Sequence, residues 1–117
     1  MFSNPQVGVV GITEQHARAA GIPYVAITHD YAGAAYGWAM EDTTSFCKLI
    51  GDPATRRLLG AHVIGPQASS LVQLLVQGMH LGNTVDELAT GQIWIHPALP
   101  EVVEVALLKL TEAFDAA

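Results

Sequence analysis

The sequence is poor in cysteine and in basic charge. Its single cysteine, Cys47, excludes an internal disulfide framework, a Cys-x-x-Cys dithiol centre and a four-thiolate zinc site. Only five lysines and arginines stand against eleven acidic residues, which gives a net charge of −6. Because nucleic-acid surfaces need clustered basic side chains, the composition argues against a nucleic-acid partner.

Long apolar runs are also missing. The longest, residues 71–76, is interrupted by Gln73 and falls far short of the roughly 20 residues that cross a bilayer. The first residues lack the basic and then apolar pattern of a secretion signal. We therefore expect no membrane partner, and the lack of disulfides favours a reducing compartment such as the cytoplasm.

What the sequence does contain is enough apolar character for one core. Half of its 117 residues are apolar and only 14% are charged, which excludes intrinsic disorder. The length predicts a single domain. Alternation and β-branched residues predict strands at residues 7–11, 24–29, 43–50 and 58–64, with residues 92–95 as a further extended segment.

Turn and capping residues connect these strands with helices. Asp52 and Pro53 supply the turn chemistry of a hairpin between the third and fourth strands. The glycines and aromatic residues of 31–42 indicate irregular structure. Helices are predicted at residues 14–20, after the N-cap Thr13, at residues 69–81 and at residues 100–113. A further short helix is predicted to follow the capping box of Thr84 and Glu87. This order predicts an α+β fold, an antiparallel sheet of about four to five strands covered by helices.

The predicted helix at residues 69–81 is apolar over most of its circumference. Its polar stripe consists only of Ser70, Gln73, Gln77 and His80. A helix of this kind is buried on more than one side. In so small a domain a second chain is one source of the additional cover.

The strongest candidate for chemistry is His96, which stands just before a predicted helix and beside Pro97 and Pro100. Glu101 falls in the first turn of that helix. A carboxylate bonded to one ring nitrogen fixes the tautomer and favours the imidazolium, leaving the other nitrogen to move a proton. The alternative is that His96 is a polar loop residue and Glu101 a carboxylate at the positive end of the helix dipole.

Other candidate residues favour structural interpretations. Cys47 lies in a strand pattern and is predicted to be a buried small apolar residue, not a nucleophile. His62 and His80 share no helical spacing with another histidine, so no metal site is predicted. His29 stands at a strand end. Gly8-x-x-Gly11 lacks the third glycine and the strand-to-helix context of a dinucleotide-binding motif, so no cofactor site is predicted.

Three elements, taken in order, resemble the C-terminal dimerisation domain of the flavin-dependent pyridine-nucleotide disulfide oxidoreductases. They are FSNPQV (residues 2–7) with VGITE (10–14), the hairpin CKLI (47–50) with LGAHVIG (59–65), and the closing element His96-Pro97-x-x-x-Glu101. The resemblance covers essentially the whole chain. Residues 1–117 are therefore expected to form one dimerisation domain.

Within that family, AYGWAMED at residues 35–42 and the segment 94–104 resemble the mycothione reductase subfamily, which reduces mycothiol disulfide to mycothiol. Glutathione reductases and lipoamide dehydrogenases usually carry threonine after the His-Pro pair, where this chain has Ala98. These two relatives remain alternatives. A third, of another class, is a non-catalytic dimeric α+β binding module in which His96 is structural.

The resemblance implies that the domain builds a homodimer and donates His96 and Glu101 to the partner subunit's active site as a general acid/base pair. His96 would take the proton of an attacking thiol and then protonate the departing thiolate of a low-molecular-weight disulfide. Glu101 would orient His96. FAD and NADPH would be held by other domains of the parent enzyme. We therefore expect this chain to be a fragment that binds neither cofactor and does not turn over alone.

Overall fold

The computed structural model of the chain describes residues 6–31, 45–95 and 98–116. The predictions made for residues 1–5 and 32–44 and for His96 lie outside these ranges. The elements in chain order are β1 (Val7–Gly11), α1 (Glu14–Ala20), β2 (Val25–Asp30), β3 (Phe46–Asp52), β4 (Arg57–Ile64), α2 (Ala68–Leu81), α3 (Val85–Thr90) and α4 (Pro100–Ala116).

The strands form one antiparallel sheet in the order β1-β4-β3-β2. The predicted hairpin of β3 and β4 is confirmed and occupies the centre of the sheet. In the register, His29 of β2 lies opposite Cys47 of β3, which lies opposite Val63 of β4. All three residues are buried, so this row of the sheet faces the core.

Helices α2 and α4 cover the buried face of the sheet. Helix α2 contacts β4 and β1, whereas α4 contacts β2 and β3, and α3 packs against α4. Among the largest fully buried side chains are Tyr31, Leu49, Ile50, Leu71, Leu75, Leu107 and Leu110. The predicted α+β class is therefore confirmed. Among the described residues no helix combines the length and the apolar character needed to cross a bilayer.

Local capping signals fix most helix ends where the sequence predicts them. The Thr13 side chain accepts a hydrogen bond from the His16 N–H at 3.0 Å. Thr84 and Glu87 form a complete capping box before α3. Helix α1 ends at Gly21, whose φ of 70° is the left-handed conformation that favours glycine. Helix α4 extends three residues beyond its predicted end at residue 113, to Ala116.

The extended segment predicted at residues 92–95 does not join the sheet in the part of the chain that the structure describes. The side chains of Gln92 and Trp94 instead turn back and donate hydrogen bonds to the carbonyls of Leu88 and Ala89, at 2.9 Å and 3.0 Å. These carbonyls belong to the last turn of α3 and have no partner within the helix. The segment thus serves to end α3.

Candidate functional site

Glu101 lies in the first turn of α4, as the sequence predicts, and its carboxylate is directed back towards the segment before the helix. Its Oε1 accepts a hydrogen bond from the backbone N–H of Ala98 at 3.0 Å. The backbone N–H of Glu101 donates to the Ala98 carbonyl at 3.1 Å. These reciprocal bonds stabilise the start of the helix and hold the half-buried carboxylate in one orientation.

The structure anchors both flanks of the segment that contains position 96. Before it, Trp94 packs against the core and its Nε1 donates to the Ala89 carbonyl. After it, Leu99 is buried in the core and accepts a hydrogen bond from the Val102 N–H at 2.9 Å. His96 itself lies outside the described residues. The structure therefore places Glu101, and the pairing of Glu101 with His96 stays a prediction.

Exposed apolar side chains lie close to this segment. Ile93 is 92% exposed, and Ile95 is also exposed. A groove of about 360 Å³ separates α2 from α3 and extends from Leu74 and Leu81 to Gln92, the residue directly before Ile93. Leu81 is 64% exposed. Exposed apolar side chains therefore occur both next to position 96 and at the groove.

Cys47 and the histidines outside this segment do not form a second reactive site. Cys47 is fully buried, and burial raises the pKa of its thiol to about 12, so it is not a thiolate at neutral pH. His62 Nε2 lies 3.2 Å from the Ile12 carbonyl oxygen. No group of three or more potential metal ligands occurs among the described residues. The structural interpretation of Cys47 is confirmed.

Gly8 and Gly11 are packing residues of β1. A Cβ at Gly8 would lie 2.8 Å from the Ala68 carbonyl oxygen, so α2 fills the space beside it. At Gly11, with φ of 73°, a Cβ would collide with the Leu59 carbonyl oxygen. These glycines do not form a phosphate cradle and do not fit a dinucleotide.

The sequence did not reveal a charged cluster that joins α1 to the sheet. Glu14 binds the Lys48 ammonium at 2.6 Å, and it also accepts a hydrogen bond from the Tyr24 hydroxyl at 2.8 Å. These bonds hold the pKa of the Glu14 carboxyl at about 2, with Lys48 the largest cause. The spacing of Glu14 and Arg18 could have indicated their ion pair. No sequence signal pointed to Lys48.

Residues 1–107 match the family model of the pyridine nucleotide-disulphide oxidoreductase dimerisation domain. The chain belongs to this family. It is 56% identical to mycothione reductase of Mycobacterium tuberculosis over 110 residues. This alignment covers 94% of this chain and 24% of that protein. It is 33% identical over 108 residues to dihydrolipoamide dehydrogenase of Chaetomium thermophilum, covering 92% of this chain and 21% of that protein.

Solved structures share the fold of this dimerisation domain. LpdA from Mycobacterium tuberculosis superposes with a TM-score of 0.85 at 24% identity, covering 93% of this chain and 24% of that one. The HOCl-induced flavoprotein disulfide reductase RclA from Escherichia coli gives a TM-score of 0.79 at 28% identity, covering 97% of this chain and 24% of that one. The chain thus spans about a quarter of the length of these relatives. It is homologous to a domain of flavin disulfide oxidoreductases, which confirms the family resemblance.

Proposed function

We propose that this chain is the dimerisation domain of a mycothione reductase and that His96 and Glu101 act as a general acid/base pair in the partner subunit's active site. The orientation of the Glu101 carboxylate carries the proposal. It accepts the N–H of Ala98. Two Cα–Cα steps of about 3.8 Å join residue 98 to residue 96, so a side chain at position 96 attaches within reach of that carboxylate.

The proposed role of His96 is to move one proton between sulfur atoms. A cysteine thiol of the parent enzyme gives its proton to the neutral imidazole, and the resulting thiolate attacks the substrate disulfide. The old S–S bond breaks, a mixed disulfide forms, and the departing thiolate takes the proton back from the imidazolium. Protonation matters because a thiolate of high pKa leaves slowly.

A second cysteine of the parent completes the reduction by attacking the mixed disulfide, which releases the second substrate thiol and leaves the enzyme's own pair oxidised. Two electrons therefore pass from the dithiol to the substrate. NADPH and FAD, held elsewhere in the parent, would restore the dithiol. In these chemical steps the domain contributes the transfer of the proton.

Glu101 would act on the imidazole of His96 by stabilising its cation and fixing its tautomer. A carboxylate beside a histidine raises the pKa of the imidazole, and each pKa unit corresponds to about 1.4 kcal/mol. The hydrogen bond from Ala98 keeps the Glu101 carboxylate in place while the proton moves. Glu101 is thus proposed as a positioning residue for His96.

The proposed substrate is mycothiol disulfide. The support is the identity of 56% to a mycothione reductase, against 33% to a dihydrolipoamide dehydrogenase over a similar length. Ala98 is a second support, because glutathione reductases and lipoamide dehydrogenases usually have threonine at that position. Lipoamide, the disulfide form of dihydrolipoamide, is the second candidate substrate.

The proposed homodimer is supported by the surface of α2. Leu71 and Leu75 are buried against the sheet, whereas Leu74 and Leu81 point to solvent in the single chain. An apolar helix that is half covered requires a further contact surface. We propose that a second copy covers Leu74, Leu81 and the neighbouring α2–α3 groove.

Site variants in the full-length reductase that carries this domain test the proposal. NADPH-driven reduction of mycothiol disulfide should fall by about 100-fold or more for His96→Ala. Glu101→Gln should cause a smaller loss and shift the pH profile of kcat/KM, because the imidazole loses its carboxylate. The matched control is Glu104→Gln, which removes a half-buried carboxylate one turn further along the same helix and should keep wild-type activity.

The two half-reactions separate a catalytic role of His96 from a folding defect. Reduction of the enzyme by NADPH should proceed normally in His96→Ala, whereas oxidation by the disulfide should be slow. Wild-type turnover in His96→Ala would show that the domain is a non-catalytic dimerisation module. A higher kcat/KM for lipoamide than for mycothiol disulfide would favour the second candidate substrate.

A further inference from the structure

His29, near the end of β2, is a buried imidazole. It is only 5% exposed, and neither Nδ1 nor Nε2 has a hydrogen-bond partner among the residues that the structure describes. Buried polar side chains almost always have partners, so an exception of this kind calls for an explanation. The proposed acid/base pair does not involve His29.

The elements packed on β2 set the electrostatic surroundings of His29. β3 presents Cys47 directly opposite, whose thiol is uncharged because burial raises its pKa to about 12. Helix α4 supplies Lys109, a positive charge, and Asp30 follows His29 on its own strand. Burial is the largest cause of the lowered pKa of His29. The positive charge of Lys109 lowers this pKa further, whereas the negative charge of Asp30 raises it.

We propose that His29 is an acid-sensitive lock that holds α4 on the sheet. The neutral ring lies on the buried side of β2, the strand against which α4 packs. The imidazolium has two N–H donors and one charge, and no acceptor among the described residues lies within hydrogen-bond distance of either nitrogen. β2 is an edge strand of the sheet formed by the described residues, so separation of β2 from α4 is the direct way for the cation to reach water.

The lock would also control the position of the proposed active-site carboxylate. Glu101 lies in the first turn of α4, so opening of the β2–α4 contact would displace it from the segment that contains His96. This consequence rests on the proposed function of Glu101. The lock itself depends only on the burial of His29 and the charges around it.

The direction of the pH effect follows from the lowered pKa of His29. Its folded pKa lies below the ordinary value of 6.5, so the unfolded chain binds the proton more readily. The stabilisation is complete above about pH 6.5 and is lost as the pH falls through the folded pKa. The Glu14 carboxyl, with a pKa of about 2, loses its stabilisation in a more acidic range.

The first test compares urea unfolding of the full 117-residue chain with that of His29→Phe between pH 7.5 and pH 5. The folding equilibrium constant of the wild type should fall with pH, in total by about tenfold for each pKa unit that folding removes from His29. His29→Phe should lose that part of the slope. The exposed-histidine variants His16→Gln and His80→Gln should keep it.

Histidine ring NMR of the wild type provides a second test if His29→Phe fails to fold. The His29 signal should titrate below its ordinary pKa of 6.5, and the backbone amides of β2 and α4 should shift with it while those of α2 do not. An ordinary pKa for His29 in the folded chain, or equal pH slopes for wild type and His29→Phe, would overturn the lock. Normal turnover in His96→Ala would overturn only the proposed function.

Discussion

Gly8 of β1 lies directly against Val72 of α2. A Cβ at Gly8 would come within 2.9 Å of Val72 Cγ1 and 2.8 Å of the Ala68 carbonyl oxygen. The missing side chain therefore allows α2 to pack onto the edge strand. Because α2 carries Leu74 and Leu81 of the proposed dimer surface, Gly8 also fixes where that surface lies.

Gly8→Val should destabilise the chain because the added side chain must push α2 away from β1. Overpacking of this kind costs about 1–3 kcal/mol of unfolding free energy. Urea unfolding at pH 7.5 measures it. Val9→Thr is the matched control on the same strand, since Val9 is 60% exposed, and should change the unfolding free energy by less than about 0.5 kcal/mol. Equal stability of Gly8→Val and wild type would contradict the close packing.

Features with local signals could be predicted from the sequence. The Thr13 cap, the Thr84–Glu87 capping box and the β3–β4 hairpin each depend on residues that are near one another in the chain. The burial of His29 and the bond from Lys48 to Glu14 depend on elements distant in sequence. A strand pattern indicates which residues share a face, but it does not say which helix covers that face.

The sequence predicts only part of the candidate site, because only part of it depends on local signals. The position of Glu101 in the first turn of a helix follows from Pro100 and the apolar spacing after it. Its hydrogen bond from Ala98 depends on how the backbone enters the helix. Residues 92–95 form no strand of the described sheet, because Gln92 and Trp94 bond to the end of α3, a tertiary arrangement that alternation does not encode.

Lys48→Met should raise the pKa of the Glu14 carboxyl from about 2 towards its ordinary value of 4.5, because Lys48 is the largest cause of the lowering. Ionised Glu14 stabilises the fold above about pH 4.5, and this contribution is lost as the pH falls towards 2. Carboxyl NMR titration measures the change. Lys109→Met should leave the Glu14 pKa unchanged, and an unchanged pKa in Lys48→Met would refute the assigned cause.

Leu81→Asp should prevent self-association of the 117-residue chain, because a carboxylate would have to lose its water at the proposed contact. Sedimentation at high micromolar concentration should show a dimer for the wild type and a monomer for the variant. Leu108→Asp changes a similarly apolar residue, 37% exposed, on α4 and should remain dimeric. A monomeric wild type would exclude self-association of the isolated domain at these concentrations.

Cys47 should react slowly with thiol reagents while the chain is folded. Burial raises its thiol pKa from 9.0 to about 12, which alone lowers the thiolate fraction by several hundredfold at pH 8. We expect modification of the native chain to be at least about 100-fold slower than in urea. Rapid labelling of the native chain would contradict the burial of Cys47.

Hybrid dimers of the full-length reductase test whether His96 acts across the two-fold axis. One subunit carries His96→Ala and the other lacks the redox cysteines, so each homodimer is inactive. If His96 serves the partner's active site, each hybrid holds one site with both defects and one with none. Random mixing makes about half of the dimers hybrid, so activity should recover to about a quarter of wild type. If His96 served its own subunit, every site would carry one defect and the mixture would stay inactive.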